Sequence, residues 1–411
     1  MVASSDLLIN VEVLSSLQLC NVDIMWPEEV TDSDVQVSTT KSQVLLSLQN
    51  GTIVALNCPK SVQLKSGAQM CTVVNNRRLN IRVALDTKAC LLQSICSDLA
   101  SDIRSLSLRT PYDVLEKCEV IASCCSCSTP VTQTLKFDRI RQMPASDWAH
   151  ASEEWFCCAH GTENEALKSE SVAPRQNDCF FSDLFFLVKQ QVLSGHVRYD
   201  CEDNAVCGGC ENVLGVKVAS DVKLWTHRVR WVKASDPTSV VYYQCEQDLM
   251  VTLIDHLSAD SFGANSRIAF VKNSKPKTYL YLGVIDTNLT LLTSANDKKL
   301  LLNSTPEQSA GDCISQGKRG RSDDGTKRSR SCTLRDKDVQ VHLTKQNVIK
   351  VSYKIVTGEC DETERWGDDV NVHILNCAES FFDAALEGIT ESGVGPQPAI
   401  ASGELFGYIK R

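Results

Sequence analysis

Short β-prone runs separated by turn residues dominate the first part of the chain. Val44–Gln49 and Thr52–Cys58 flank an Asn-Gly dipeptide, which favours a type I′ turn between two antiparallel strands. Cys71–Val74 and Leu79–Leu85 flank a second polar turn and predict another hairpin. Residues 1–120 are therefore predicted to form an N-terminal β domain, folded as a β-meander.

The last part of the chain mixes β-prone runs with helical patterns. Gln247–Leu257 has the spacing of a helix, and Asn371–Leu375 followed by Ala378–Leu386 predicts a strand and then a helix. Residues 303–338 are rich in Ser, Gly, Asp, Lys and Arg and poor in large apolar residues, which is typical of a disordered loop. We predict a C-terminal α+β domain of HECT-like size over residues 216–411, interrupted by this loop.

The stretch between these parts, residues 121–215, has short regular elements and an unusual residue content. Ten of the 20 cysteines fall between Cys118 and Cys210. Cys179–Val188 is apolar almost throughout, which is typical of a buried strand. The predicted fold class is therefore α+β and β-rich, with a Cys-rich, zinc-stapled middle module between a β-meander and a β-rich C-terminal part with a few helices.

The composition is that of a folded soluble protein, since 43% of the 411 residues are hydrophobic and 23% are charged. The formal net charge of -9 argues against a protein that coats nucleic acid with its whole surface. Residues 1–10 lack the basic start of a signal peptide, and no stretch of about 20 apolar residues predicts a membrane helix. A cytoplasmic, reducing location without membrane contact is expected, and a secreted protein is the alternative.

The clearest chemical motif is Cys207-Gly-Gly-Cys210. Its C-x-x-C spacing lets two thiolates bind one Zn²⁺, and a structural zinc usually has four ligands. Cys124 and Cys127 have the same spacing and would complete a Cys₄ site, although 79 residues separate the two pairs. The alternative is that these four cysteines are small buried apolar residues.

A second group of candidate residues surrounds two tryptophans, Trp148 and Trp155. Cys157 and His160 have C-x-x-H spacing, which suits a metal ligand pair or a partner contact. Packing of a Trp-rich motif is the alternative, and Cys–His nucleophilic catalysis is a third reading. No phosphate-binding glycine loop, nucleophile elbow or zinc-protease helix motif is found, so no organic cofactor site is predicted.

Cys377 is the candidate catalytic residue. It lies 34 residues before the C-terminus, between a predicted strand and a predicted helix. A helix N-terminus lowers the pKa of a thiol and favours the nucleophilic thiolate. Asp368, Asp369 and His373 are near enough in sequence to assist proton transfer, and a buried core cysteine is the alternative.

Two basic clusters lie in the predicted loop, at residues 318–321 and 327–330. Paired clusters of this kind favour nuclear import or a weak nucleic-acid contact, although a solvated loop has the same composition. They add a nuclear pool to the cytoplasmic expectation.

From Cys124 onward, an ordered series of motifs resembles a known family. The motifs are Asp147-Trp148, then Glu154-Trp155-Phe156-Cys157-Cys158-Ala159-His160, then Asp178-Cys179-Phe180-Phe181-Ser182-Asp183, and Cys207-Gly208-Gly209-Cys210. This series is similar to that of the HECT-like, E2-binding ubiquitin ligases, the type-D E3 ubiquitin ligases of animals and their fungal relatives. The N-terminal part matches only in its β character.

The resemblance implies an E3 ubiquitin-protein ligase. Such a protein binds a ubiquitin-conjugating enzyme (E2) and promotes transfer of ubiquitin to lysines of cyclin-type targets and of itself. True HECT ligases transfer through a cysteine in a Thr-Cys-Phe sequence near the C-terminus. Cys377 fits that position, but its own context is Asn-Cys-Ala.

The same family is tied to the metallo-β-lactamase-type endonuclease of mRNA 3′-end processing. The resemblance assigns that contact to the Cys- and Trp-rich segment, and a thiolate there could ligate the metal of the partner. The corresponding residues here are Cys124, Cys127, Trp148, Trp155, Cys157 and His160. Three hypotheses therefore stand: a ubiquitin ligase, a non-enzymatic protein that binds and stabilises this endonuclease, and a zinc-stapled β protein with other partners.

Overall fold

A computed structural model of the chain describes most of its residues, and the statements below concern those. The described residues are 8–26, 35–49, 51–74, 78–86, 111, 115–143, 174–260, 267–272, 275–294, 339–369, 371–390, 397–398 and 404–411. They fall into two compact units, one drawn from residues 1–97 and 290–346 and the other from residues 98–289 and 347–411. The predicted insert 303–338 lies outside the described residues.

The first unit is a nearly closed antiparallel sheet. Its strands are β1 (Leu8–Leu14), β2 (Leu19–Met25), β3 (Val35–Thr39), β4 (Gln43–Leu48), β5 (Ile53–Asn57), β6 (Leu64–Val74) and β7 (Arg78–Leu85). Residues 290–294 of β19 (Thr278–Ser294) and 339–346 of β20 (Val339–Thr357) complete it, in the order β3-β4-β5-β20-β19-β1-β2-β7-β6. β5 and β20 are the parallel pair.

The two edges of this sheet approach each other. The amide of Gly67 in β6 donates to Thr39 Oγ1 in β3 at 3.2 Å, and the amide of Leu64 donates to the Lys41 carbonyl at 2.8 Å. Gly67 has a φ of +82°, a conformation that glycine adopts without steric cost. These bonds cover backbone groups that an open sheet edge would expose.

Alternation of apolar and polar side chains explains the core of the first unit. Leu79, Ile81, Val83 and Leu85 of β7 are buried, while the residues between them are partly or fully exposed. Since successive side chains of a strand point to opposite faces, one face of the sheet forms the core. Both predicted hairpins are confirmed, because β4 pairs with β5 and β6 pairs with β7 in antiparallel register.

The second unit contains the cysteine-rich region and all three described α-helices. Its strands are β8 (Val120–Cys124), β9 (Arg139–Gln142), β10 (Asp178–Phe181), β11 (Phe185–Lys189), β12 (Val197–Tyr199), β13 (Asn204–Cys207), β14 (Val213–Val218), β15 (Asp221–Trp225), β16 (Val229–Lys233), β17 (Asp236–Tyr242), β18 (Arg267–Lys272), β21 (Val372–Cys377), β22 (Gln397–Pro398) and β23 (Leu405–Lys410), with residues 278–289 of β19 and 347–357 of β20. The helices are α1 (Glu246–Asp260), α2 (Asp361–Asp368) and α3 (Glu379–Thr390).

Three sets of strands organise this unit. One sheet has the order β12-β13-β14-β15-β11-β10-β9, and a smaller one has the order β17-β16-β8. In the third set, β18 pairs antiparallel with β19 and parallel with β21, and β23 pairs with β20 and β22. None of the described helices has both the length and the apolar character that crossing a membrane requires.

A continuous core lies beneath the cysteine-rich region. Trp231 of β16 is fully buried, and its ring meets those of Phe137 and Phe186 edge to face at 5.5 and 5.3 Å. Cys124 and Cys207 belong to the same core cluster. Edge-to-face aromatic pairs stabilise a core beyond the burial of their area.

The prediction that Cys179–Val188 is a single strand is wrong. The chain turns at residues 182–184, and β10 and β11 form a hairpin. Ser182 Oγ accepts hydrogen bonds from the amides of Leu184 and Phe185, both at 3.3 Å, and so stabilises the turn. Serine side chains stabilise such turns by bonding nearby amides, which an apolar pattern does not reveal.

The β-rich α+β class is confirmed for the described residues. The division into domains 1–120, 121–215 and 216–411 stays a prediction, as does a module stapled by zinc.

Candidate metal centre

Two turns of the same geometry carry the four cysteines. Cys124 ends β8, and the amide of Ser128 donates to its carbonyl at 2.9 Å. Cys207 ends β13, and the amide of Glu211 donates to its carbonyl at 2.8 Å. Ser128 and Glu211, each four residues beyond its cysteine, both have left-handed φ angles, +65° and +61°. Each turn thus directs two thiols, three residues apart, toward the same point.

The four sulfur atoms form one compact cluster. Cys124 Sγ lies 3.6 Å from Cys210 Sγ, and Cys127 Sγ lies 3.5 Å from Cys207 Sγ. All four sulfurs lie within 4.8 Å of one another. Tetrahedral zinc with Zn–S bonds of about 2.3 Å places its sulfurs roughly 3.8 Å apart. The cluster can therefore hold a metal ion, and the pairing of the two C-x-x-C motifs that the sequence predicts is what the structure has.

The glycines of the second turn are required by close packing. A Cβ on Gly209 would lie 2.3 Å from Thr129 Oγ1 and 3.3 Å from Cys127 Sγ, so a side chain there would push the two turns apart. The amide of Gly208 donates to the His196 carbonyl at 2.7 Å, and a Cβ on Gly208 would lie 2.6 Å from that oxygen. Asn212 Nδ2 donates to Ser126 Oγ at 2.9 Å and links the turns directly.

The four thiols differ in their surroundings. Cys127 is exposed, and hydrogen bonding by Thr129, through its side chain and then its amide, lowers the pKa of the thiol to about 6. Cys124 is buried, and burial raises the pKa of its thiol to about 12. A divalent metal would hold all four as thiolates and would tie the end of β8 to the end of β13. The donor set of four sulfurs fits zinc better than magnesium or calcium, which prefer oxygen ligands.

Cys377 lies at the predicted strand-to-helix junction but is buried. It is the last residue of β21, two positions before α3 begins, and its side chain is 5% exposed. Its Sγ lies 3.6 Å from the Val271 carbonyl, and burial raises the pKa of its thiol to about 12. This environment disfavours a thiolate, so the catalytic role of Cys377 stays a prediction from sequence.

The acidic neighbours suggested for Cys377 have other contacts. Asp369 pairs with Arg267 at 3.3 Å and accepts from the amide of Asn371 at 2.9 Å. The Asn371 amide, with the same residue's side chain, holds the pKa of Asp369 below its ordinary value.

A thiol that the sequence reading missed has the chemistry expected of Cys377. Cys360 is exposed and precedes α2, where it takes the N-cap position. Hydrogen bonds from the amides of Thr363 and Glu362 lower the pKa of this thiol. A helix pattern beginning at Asp361 was the available signal, but the four acidic residues at 361–368 mask it as a polar stretch.

We expect iodoacetamide at pH 7.5 to alkylate Cys360 at least roughly tenfold faster than Cys377, because the thiolate is the reacting form. Mass spectrometry of the native full chain over a time course measures both rates. The exposed Cys201 is the accessibility control. Equal rates at Cys360 and Cys377 would mean that the burial of Cys377 is short-lived.

His227 is a buried base with an incomplete set of partners. It is 1% exposed, and its Nε2 lies 3.3 Å from Ser380 Oγ. Its Nδ1 has no hydrogen-bond partner among the described residues. Burial, aided by the charge of Arg228, lowers the pKa of His227 to about 3.

This burial predicts a pH dependence of stability. The unfolded chain binds a proton at His227 below about pH 6.5, while the folded chain stays neutral there down to about pH 3. The contribution is therefore complete above pH 6.5 and is lost as the pH falls, by at most about 1.4 kcal/mol for each unit. Urea unfolding at pH 6.5 and 5 should show a smaller loss for His227→Gln than for the wild type. Identical losses in both proteins would refute this assignment.

The Trp-rich segment cannot be placed. Trp148, Trp155, Cys157 and His160 lie outside the described residues. Their partner-binding and metal-binding roles stay predictions.

Comparison with known proteins decides the family. The model of the HECT-like ubiquitin-conjugating enzyme (E2)-binding family matches residues 12–394. The chain belongs to this family. The match extends through the N-terminal β unit, which the sequence resemblance had left aside.

Curated relatives of this HECT-like chain are named as E3 ubiquitin-protein ligases, all of the same type, D. The mouse protein (Mus musculus) is 25% identical over 59% of this chain and 67% of its own length. The rat protein (Rattus norvegicus) is 31% identical over 24% of this chain and 25% of its own length. The human protein (Homo sapiens) is 21% identical over 43% of this chain and 49% of its own length. No solved structure matches this chain significantly.

Proposed function

We propose that this chain is an E3 ubiquitin-protein ligase that binds a ubiquitin-conjugating enzyme and promotes transfer of ubiquitin to lysines. The observation that carries the proposal is the match to the E2-binding family over residues 12–394. The relatives named as E3 ubiquitin-protein ligases support it.

The proposed reaction is acyl transfer. A lysine amine attacks the thioester carbonyl that joins ubiquitin to the E2 cysteine, the C–S bond breaks, and the E2 thiolate leaves as an amide forms. In a relay mechanism a ligase cysteine first accepts the acyl group. The burial of Cys377 and its raised pKa favour direct transfer from the E2.

A single-turnover discharge assay tests the proposal. A panel of E2 enzymes, each loaded with ubiquitin, is mixed with free lysine with and without the purified chain. The chain should bind at least one E2 and accelerate loss of its thioester. If no E2 in the panel binds and none discharges faster, the proposed activity is wrong.

The route of transfer is tested in the same assay. With direct transfer, Cys377→Ser keeps the accelerated discharge, and the wild type forms no ubiquitin adduct that reducing agent cleaves. A reducible adduct on the wild type that is absent from Cys377→Ser would establish the relay that the sequence predicts.

We further propose that zinc occupies the four-cysteine cluster as a structural ion. The sulfur distances of 3.5 and 3.6 Å and the paired turns support this assignment. The ion would supply no chemistry to transfer, because four protein sulfurs leave no open coordination position.

Cyclin-type targets, self-ubiquitination and a nuclear as well as cytoplasmic location also stay proposals, supported by the family resemblance and the basic clusters. Binding of the mRNA 3′-end processing endonuclease rests on the Trp-rich segment alone. Capture of that endonuclease by Cys127→Ala and Trp148→Ala variants, undiminished in both, would reject it.

A further inference from the structure

A cavity of about 740 Å³ lies within the second unit, between a sheet face and the start of α3. Its volume is in the range of roughly 300–1,000 Å³ that is common for ligand sites. The sheet wall contains Phe185, Glu202, Asn204, Glu211, Asn212, Val213, Val216, Lys223, Trp225 and Arg228, and the opposite wall contains Lys272, Lys275, residues 376–380 and Asp383. We call this cavity the α3 groove.

The opposite wall has the topology of a ligand site. β18 and β21 are parallel and end together, with Lys272 paired to Cys377 in register. In α/β structures, ligands bind at the carboxyl ends of parallel strands. The first turn of α3 follows at the same place and presents backbone amides that favour a negatively polarised group.

Cationic groups near the α3 N-terminus differ in how far their charge is compensated. Lys272 forms ion pairs with both Glu379 and Asp383. Arg228 instead donates from Nε to the Ser380 hydroxyl at 3.0 Å, and among the described residues it has no carboxylate partner. This wall therefore keeps a cationic group available for a carbonyl or carboxylate.

The sheet wall combines apolar surface with acidic groups. Strand register places Phe185 opposite Trp225 and Val216 opposite Lys223, so these four side chains share one face. The Lys223 ammonium lies over the Phe185 ring, 4.6 Å from its centre, which holds this cation against the wall.

Glu202 and Glu211 are the acidic groups of this wall that lack compensation. Both are exposed, and within the described part of the chain neither has a cation at ion-pair distance. A basic side chain in the α3 groove would meet them without displacing an existing ion pair.

We propose that the α3 groove binds the C-terminal tail of ubiquitin. The groove fits an extended peptide end with basic side chains for Glu202 and Glu211, aliphatic side chains for the face around Trp225, and a terminal carbonyl for Arg228 and the α3 N-terminus. Ubiquitin ends in an extended segment of leucine, arginine and glycine residues, which has this chemistry. The inference rests on the proposed function, since the tail is the part of ubiquitin that is transferred.

NMR titration of ¹⁵N-labelled ubiquitin with the full chain tests this proposal. The tail signals should shift with the wild type, and the dissociation constant should rise at least about tenfold with Glu202→Lys/Glu211→Lys, because like charges then oppose. The matched control is Glu364→Lys/Glu387→Lys, which makes the same charge change at exposed positions outside the groove and should stay within about twofold.

A charge exchange completes the test. Ubiquitin whose tail arginines are replaced by glutamate should bind Glu202→Lys/Glu211→Lys more tightly than the wild type. The proposal is overturned if no ubiquitin signal moves at millimolar ubiquitin, if only signals of the folded body move, or if both lysine pairs weaken binding equally. E2 binding and lysine discharge are measured on the same samples, so their persistence with unmoved tail signals would reject the groove and keep the proposed ligase activity.

Discussion

Replacing Cys127 and Cys207 together by serine is expected to reduce the zinc content from about one ion per chain to nearly none. The two residues come from different turns, and their sulfurs lie 3.5 Å apart, so the double change removes one ligand from each half of the cluster. Structural zinc contributes apparent binding free energies of about 10–16 kcal/mol in small zinc domains, and this energy is coupled to folding. We therefore expect cooperative loss of structure around β8 and β13 as well as loss of the ion.

Elemental analysis of chain purified without chelator measures the zinc, and thermal unfolding measures the stability. Cys201→Ser/Cys360→Ser is the matched control, because both thiols are exposed and neither belongs to the cluster. A wild-type chain without zinc would refute the assignment of the ion. A double variant that keeps its zinc would refute the assignment of the ligands.

Trp231→Ala is expected to lower the free energy of unfolding by about 3–5 kcal/mol, as large-to-small changes at buried tryptophans do. Trp231 is fully buried, and its removal would leave a cavity between the rings of Phe137 and Phe186. Because the same core contains Cys124 and Cys207, the zinc affinity should fall as well.

Trp231→Phe is the control for this prediction. The Trp231 Nε1 has no hydrogen-bond partner among the described residues, so a phenyl ring gives up packing volume but no hydrogen bond. Its loss should be less than half that of Trp231→Ala in urea unfolding of the full chain at constant zinc. A loss below about 1 kcal/mol for Trp231→Ala would show that this core repacks.

The local elements were largely predictable because their causes are local. The alternation in β7 and the Asn-Gly turn between β4 and β5 act over a few residues, and both predictions are confirmed. The error at Cys179–Val188 has a local cause too. An apolar pattern that is continuous on both sides of Ser182 does not show where the chain reverses.

The four-cysteine cluster was predictable in part. C-x-x-C spacing identifies each pair, since two thiols three residues apart in a tight turn can reach one ion. That the two pairs meet depends on the placement of β8 and β13 in different sheets of one unit. The requirement for glycine at position 209 likewise arises from Thr129, 80 residues away in the chain.

Sequence by itself determined the β-rich class, the thiol pairs and the resemblance to an E2-binding family, because each depends on residue types at fixed short spacings. Only the tertiary structure decided which thiols are accessible. Cys377 has the position expected of a transfer cysteine, yet packing of β18, β21 and α3 buries it, whereas Cys360 stays exposed at a helix N-terminus. Burial depends on contacts between residues about 100 positions apart, such as Cys377 with Val271, and no local pattern encodes them.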